Sequence, residues 1–328
     1  MTPRVSITMS TYNVENFIEE SLNCIVNQTL KDIEIIIIDD GSIDSTPKIL
    51  ESFAKNDKRI KLLLKLENEG LAIARNEALK MAKGKYIAFV DGDDLVDVNL
   101  FKKAYNLIER QKSDMVIWDY AIFYNHKDLK KNKCVPSELS NLDSKNKMRL
   151  LQRPAFSCVK MIKKDIVNSL NINFPKGLAK QDIPVNWKLI TTLDKIVILP
   201  ERLYYYRQQP NSTSSRKDKV LFDLAYVMDI TKDYLIENNL YNKYKNEFLR
   251  QRLNLLFGMV DNINKKYKLE AEKIINDRLS KDEKEYIHSK KPLNQQARWY
   301  YKSLEGDYIS VMKKNSWMFI RALYRRTK

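Results

Sequence analysis

Glycine is scarce in this chain, 7 in 328 residues, and there are only 9 prolines, 3 cysteines and 2 histidines. So little glycine and proline argues against a fibrous or loop-dominated protein. Cys24, Cys134 and Cys158 stand far apart with no Cys-x-x-Cys pair, and His126 and His288 have no ligand-spaced neighbours. Neither a zinc site nor a disulfide framework is therefore expected, and reduced thiols fit a cytoplasmic protein. Met1-Thr2-Pro3-Arg4 runs directly into a short apolar strand, so no signal peptide is expected. No apolar run reaches the roughly 20 residues that span a bilayer. Membrane association is expected only at the periphery, on the inner face of the plasma membrane.

What is present is a soluble, globular composition, 44% hydrophobic and 30% charged, on a chain long enough for one large domain or two modest ones. The formal net charge of +16 is unevenly spread: residues 1–110 hold 15 Lys+Arg against 18 Asp+Glu, so all of the excess lies behind them. A uniformly basic nucleic-acid binder would not be divided in this way, and no nucleic acid is expected as a partner. The acidic front suits a metal ion, and the basic rear suits something anionic.

Residues 5–9 form a short β-rich run, and Val14, Phe17, Ile18, Leu22 and Ile25 then recur at helical spacing. Residues 33–38 are almost continuously apolar and β-branched, which reads as a buried parallel strand. Ser45 and Thr46 before Pro47 start a helix. A strand is expected at 60–64, a helix stripe from Leu71 to Ala82 ended by Gly84, a strand at 86–90, a helix at 97–111 and a strand at 115–124. This alternation predicts an α/β fold, a mostly parallel sheet with helices on both faces. Ligands bind such sheets beyond the carboxyl ends of the strands. Three polar clusters fall there: Ser10-Thr11-Tyr12-Asn13, Asp39-Asp40-Gly41-Ser42 and Asp91-Gly92-Asp93-Asp94.

In Asp91-Gly92-Asp93, two carboxylates at i and i+2 after a buried strand converge where the backbone turns. Hard cations such as Mg2+ and Mn2+ take such oxygens, and the glycine allows a bend and the approach of a phosphate. The plainer reading is a solvated Asp-Gly turn. After Asp39, Asp40 offers a carboxylate to a nucleobase N–H, or else serves turns and caps with Ser42 and Asp44. Tyr12 offers a ring to a flat base, or packs half-buried. Arg75, one turn inside its helix, reaches a phosphate or carboxylate, or makes a surface ion pair.

Four strings in order, Val5-Ser6-Ile7 with Ser10-Thr11-Tyr12-Asn13, Ile37-Ile38-Asp39-Asp40-Gly41-Ser42-Ile43-Asp44, Asn68-Glu69-Gly70-Leu71 with Ala74-Arg75-Asn76, and Ile87-Ala88-Phe89-Val90-Asp91-Gly92-Asp93-Asp94, resemble family 2 glycosyltransferases of the GT-A fold. The resemblance is dense over residues 4–110 and thinner to about 215. It implies an inverting transfer from a nucleotide-sugar, usually uridine-linked, with Mn2+ or Mg2+. It places Ser10, Thr11, Tyr12, Asp40, Arg75, Asp91 and Gly92 at the nucleotide-sugar and Asp93 at the metal. Ser10 stands where many members carry proline. The catalytic base of the family is usually an aspartate within a Glu-Asp pair; here Gln181-Asp182 stands in the matching place, with Gln181 a departure from the pattern. Asp182 would take the proton of the acceptor hydroxyl. Its plainer role is to cap the helix beginning near Pro184. Two further segments, Phe156-Ser157-Cys158-Val159-Lys160 and Tyr204-Tyr205-Tyr206-Arg207, also resemble the family.

These readings divide the chain into a GT-A domain at 1–215, with a nucleotide-sugar-binding half at 1–110 and an acceptor-side half at 111–215, and a helical region at 216–328. The acceptor implied is a glycan or lipid-linked glycan of bacterial surface polysaccharide or glycoconjugate synthesis. In the last segment Trp317, Phe319, Ile320, Leu323 and Tyr324 alternate with Lys313, Lys314, Arg321, Arg325 and Arg326. That pattern suits packing, a homo-oligomer contact, or an anionic membrane surface. The alternative to an enzyme is a nucleotide-sugar-binding module without catalysis.

Overall fold

Every residue of β2 (Ile33–Asp39) is buried. Five isoleucines in this strand favour the pleat and leave no face for water, so a layer must cover each side. Right-handed crossovers provide both. From β1 (Val5–Thr11) through α1 (Ile18–Val26) to β2, and through α2 (Thr46–Asn56) to β3 (Ile60–Leu64), the chain steps outward across the sheet; α3 (Leu71–Met81) then returns it past β1 to β4 (Tyr86–Asp91). That reversal places α3 on the face opposite α1 and α2. The four strands are mutually parallel. Val5, Ile7, Ile35 and Ile37 share one core with Ile18, Leu22 and Leu50. On the other face α3 lies over β1 and β2, with small Ala72, Ala74 and Ala78 buried against them.

The computed structural model describes residues 2–125, 139, 147–209 and 215–304. Beyond β4 come β5 (Leu95–Val96), α4 (Leu100–Gln111), β6 (Met115–Phe123), α5 (Lys147–Leu151), β7 (Lys160–Lys163), α6 (Lys164–Ser169), α7 (Asp182–Thr192) and β8 (Ile196–Arg207). The sheet order is β3-β2-β1-β4-β7-β6-β8-β5. Here the sheet is more mixed than its first half announces: β7 runs antiparallel between β4 and β6, and β5 antiparallel to β8. The helix expected from residue 97 begins at Leu100, because the Asp97 carboxylate accepts a hydrogen bond from the Asn99 amide (2.9 Å) and holds a turn there.

The chain divides into two compact units, Met1–Ser215 and Arg216–Lys328. The second is helical: α8 (Asp223–Glu237), α9 (Tyr241–Asn262), α10 (Lys268–Asn276), α11 (Lys281–His288) and α12 (Gln295–Leu304). Buried Arg252 of α9 pairs with Asp229 of α8 (2.7 Å) and with Glu283 of α11 (3.1 Å). Among the described residues no helix is long and apolar enough to cross a membrane. The basic, aromatic segment at 313–326 lies outside the described residues.

Glu34 is the charged residue set among the buried isoleucines of β2. Its carboxylate accepts from the Gly84 amide (3.0 Å) and the Lys83 amide (2.6 Å), and also holds Ser6 and Lys61. Burial alone would raise its pKa, but Lys61, Ser6 and the Lys83 amide outweigh burial and hold it below the usual range. A depressed carboxyl stabilises the fold above its unfolded pKa of about 4.3, and that stability is lost as pH falls through the folded value. Glu34→Gln should therefore lose less melting temperature than the unmodified chain between about pH 5 and pH 3. Equal losses in thermal scans would contradict this account of the strand.

Candidate active site

Strand register gathers the three polar clusters. Ser10 pairs with Asp91 on one side and Ile38 on the other, and Thr11 pairs with Asp39. Asp39 knits the loops together: its Oδ1 accepts from the Thr11 hydroxyl (2.9 Å) and the Ser42 hydroxyl (2.6 Å), and its Oδ2 from the Ser42 amide (2.9 Å). The Asn13 amide donates to Ser42 Oγ (2.8 Å), and Asn13 Oδ1 accepts from the Ile43 amide (2.9 Å). Thr11 is thus buried and its hydroxyl engaged within the chain, whereas Ser10 is half-buried at the edge and Tyr12 keeps 46% of its surface exposed.

Asp40 is buried. It accepts from Lys65 Nζ (2.6 Å), the Glu69 amide (3.1 Å) and the Gly70 amide (2.7 Å), which draws the loop before α3 against the end of β2. Gly41 beside it has φ +75°, and a Cβ there would stand 2.5 Å from the Glu67 carbonyl carbon. Only glycine suits that close, left-handed position. Gly92 is needed for a different reason than a bend. Its φ is not left-handed, and a Cβ would meet Thr11 Cγ2 at 2.7 Å.

Arg75 is the centre of the site. Its side chain is buried, and it donates to Asp91 Oδ1 (3.0 Å) and to Asp182 Oδ1 (2.9 Å), a residue 107 positions away. The guanidinium lies 5.3 Å from the Phe174 ring centroid. Asn76 fixes that ring by a double bond to the Phe174 backbone, donating to its carbonyl (2.9 Å) and accepting from its amide (2.8 Å). Burial works against the Arg75 charge, but Asp182 and Asp91 outweigh it and push its pKa up. Of the readings of Arg75, the reach to a carboxylate is the one seen, as a buried bridge and not a surface ion pair.

Asp182 opens α7, with Gln181 at the N-cap and no capping hydrogen bond from a side chain. Its carboxylate turns instead to Arg75 and to Ser157, whose amide donates at 3.2 Å and whose hydroxyl also donates. All of these bonds fall on Oδ1. Oδ2 accepts none among the described residues, and the side chain is 20% exposed. Burial would raise its pKa; Arg75, Ser157 and Lys160 overcome burial and hold it below the usual carboxylate range. It is an ionised carboxylate with one oxygen free.

The Asp91–Asp94 turn sends its carboxylates in different directions. Asp91 meets Arg75. Asp93 Oδ2 accepts from Gln209 Nε2 (2.8 Å), and its backbone carbonyl accepts from Arg207 Nε (2.7 Å). Arg207 also pairs with Glu20 (2.8 Å) and lies against the rings of Phe17 and Phe123. It braces this turn and does not stand out to meet a phosphate. Asp94, the last residue of this cluster, is turned inward. Its oxygens accept from the Tyr204 hydroxyl (2.6 Å) and the Arg207 amide (2.8 Å).

Oxygen and sulfur atoms of Asp91, Asp94 and Cys158 lie within 4.8 Å of one another. They do not suit a hard cation: both Asp94 oxygens are engaged, and burial, with Asp91 and Asp94 nearby, pushes the Cys158 thiol up and keeps it protonated. Asp93 fits better. Burial, and behind it the Asp91 charge, push its carboxyl up to about 6; a divalent cation would supply the positive charge that favours its ionised form.

Ser157, Asn76, Phe174, Arg207 and Gln209 carry this geometry without having been singled out for it from sequence. Asn76, Ser157 and Arg207 lay within family-like segments, but spacing does not show which way a side chain points.

The profile described as Glycosyl transferase family 2 matches residues 6–167. EpsJ of Bacillus subtilis (strain 168), an uncharacterized glycosyltransferase, is 32% identical over 253 residues, 74% of this chain and 71% of that protein. Among solved structures, S. aureus TarS 1-349 in complex with UDP-GlcNAc matches with TM-score 0.70 and 20% identity over 94% of this chain and 89% of that one. The mannosyltransferase PcManGT from Pyrobaculum calidifontis, in complex with GDP-Man and Mn2+, matches with TM-score 0.53 and 16% identity over 97% of this chain and 88% of that one. The structural likenesses show the GT-A fold, with a helical region after it. The motif order and the sequence kinship establish that this chain belongs to glycosyltransferase family 2.

Proposed function

We propose that this glycosyltransferase moves a sugar from a uridine diphosphate-linked donor to a hydroxyl of a glycan or lipid-linked glycan, with inversion at the anomeric carbon, in bacterial surface polysaccharide or glycoconjugate synthesis. One observation carries the reading: a buried guanidinium, Arg75, joins the Asp91 edge to Asp182, whose Oδ2 is left open. The UDP-GlcNAc complex of TarS supports a uridine-linked donor.

Tyr12 offers its exposed ring to the base, and Asp40 borders it. Ser10 and the Gly92 backbone line the same edge, Thr11 acts through Asp39, and Asp91 serves the ribose. Asp182 Oδ2 accepts the acceptor's hydroxyl proton as that oxygen bonds to the anomeric carbon and the bond to the diphosphate breaks. The displacement is single, so no protein nucleophile takes part. Asp93 would hold the divalent cation, Mn2+ or Mg2+, which when bound supplies positive charge against the departing diphosphate. Residues 1–110 form the donor half, and 111–215, with Ser157 and Asp182, the acceptor side.

A panel of nucleotide-sugars with Mn2+, read by release of free nucleotide, tests this. A UDP-sugar should be consumed, and Asp93→Ala should slow that consumption by about 100-fold or more. Consumption restricted to donors of another base, or normal turnover by Asp93→Ala, would refute the assignment.

A further inference from the structure

Lys160 is 3% exposed at the start of β7. Its ammonium donates to Asn186 Oδ1 (2.8 Å) and to the Ala155 carbonyl (3.3 Å), and it makes no ion pair among the described residues. A buried ammonium satisfied by neutral acceptors alone is costly, and an apolar side chain of the same length would fill the space. Asn186 stands one turn after Asp182 on α7, so the ammonium is tied to the helix that carries that carboxylate, one turn along from it. The charged and titratable groups facing it are Asp182 from α7, Cys158 from its own segment and Arg75 from α3. Cys158 is protonated and Arg75 is a cation, so among the described residues Asp182 is the foremost anion acting on the ammonium.

We propose that Lys160 is a positioning residue whose buried charge biases Asp182 toward the anionic form that takes the acceptor's proton. Arg75 is the foremost cation on Asp182, but its guanidinium is shared with Asp91 on the donor side. Lys160 touches neither donor carboxylate and acts on Asp182 whether or not the donor site is filled. The influence is mutual: burial draws the Lys160 ammonium down to about 8, and Asp182 is the foremost group holding it up. The inference rests on Asp182 being the base proposed above.

The test is carboxyl-carbon NMR of the full chain labelled with 13C-aspartate, the Asp182 resonance being identified by its absence in Asp182→Asn. In Lys160→Met, and in the hydrogen-bonding Lys160→Gln, the Asp182 midpoint should rise by about one pH unit, and the acid limb of kcat for UDP-sugar consumption should move with it. UDP affinity should not change. Folded variants with an unmoved midpoint would reduce Lys160 to packing and overturn the proposal. Should neither variant fold, the unmodified chain decides. The Asp182 carbon should then show a second, smaller step as Lys160 deprotonates, since Cys158 and Tyr204 are both pushed well above their ordinary ranges; no such step overturns the proposal. If Asp182→Asn turns over donor and acceptor normally, the base assignment fails while the midpoint shift can still be read.

Discussion

Asp182→Asn should lower sugar transfer by about 100- to 10,000-fold, the range set by loss of a general base, while UDP binding is unchanged. The amide keeps an oxygen for Ser157 and Arg75, so the loop before β7 and the guanidinium remain in place. What disappears is the open oxygen, Oδ2, as a proton acceptor. Initial rates with a consumed UDP-sugar and calorimetry with UDP would separate these two effects. A variant that transfers normally would show that the carboxylate only braces Arg75. A variant that loses UDP affinity in parallel would show that the site depends on it for shape.

Arg75→Met should be the most damaging single change to the first unit. The guanidinium is buried, and its removal takes away the cation that bridges Asp91 and Asp182. Breaking such a bridge from one side costs about 3–5 kcal/mol. The low end applies here because both carboxylates keep some solvent, at 29% and 20% exposure. For a domain of this size about 3 kcal/mol is a fall of about 10 °C in Tm. Adding Asp182→Asn to Arg75→Met should restore part of that loss, because one of the stranded charges is then gone. Strict additivity of the two changes in thermal melts would mean that they do not share a network.

Much of this architecture could be read from residue order. The isoleucines of β2 are too many and too closely set for anything but a strand covered on both faces, and the alternation around it brings Tyr12, Asp40 and Asp91 to one edge. The antiparallel β7 was not legible, because four residues between a short turn and a short helix carry no period. Nor does spacing tell the four residues at 91–94 apart. Asp94 turns inward because Tyr204 and the Arg207 amide receive it, and both lie 110 or more positions downstream. The bridge from Arg75 to Asp182 is hidden for the same reason. Its partners sit on α3 and α7, and the groups that fix it, Phe174 and Ser157, look like ordinary loop residues until the sheet closes. Only the family resemblance singled out Asp182 over a helix cap, and the structure supplies the physical reason that the cap is not made.

Calorimetric titration of the unmodified chain with UDP, with and without Mn2+, tests most directly that the edge formed by Tyr12, Asp40, Asp91 and Asp93 is a metal-assisted nucleotide site. The account predicts binding that Mn2+ strengthens by about tenfold or more, a coupling in the ordinary range for two ligands sharing a site, and predicts that Asp93→Ala abolishes the increment. UDP binding indifferent to Mn2+, or an increment that survives in Asp93→Ala, would contradict it.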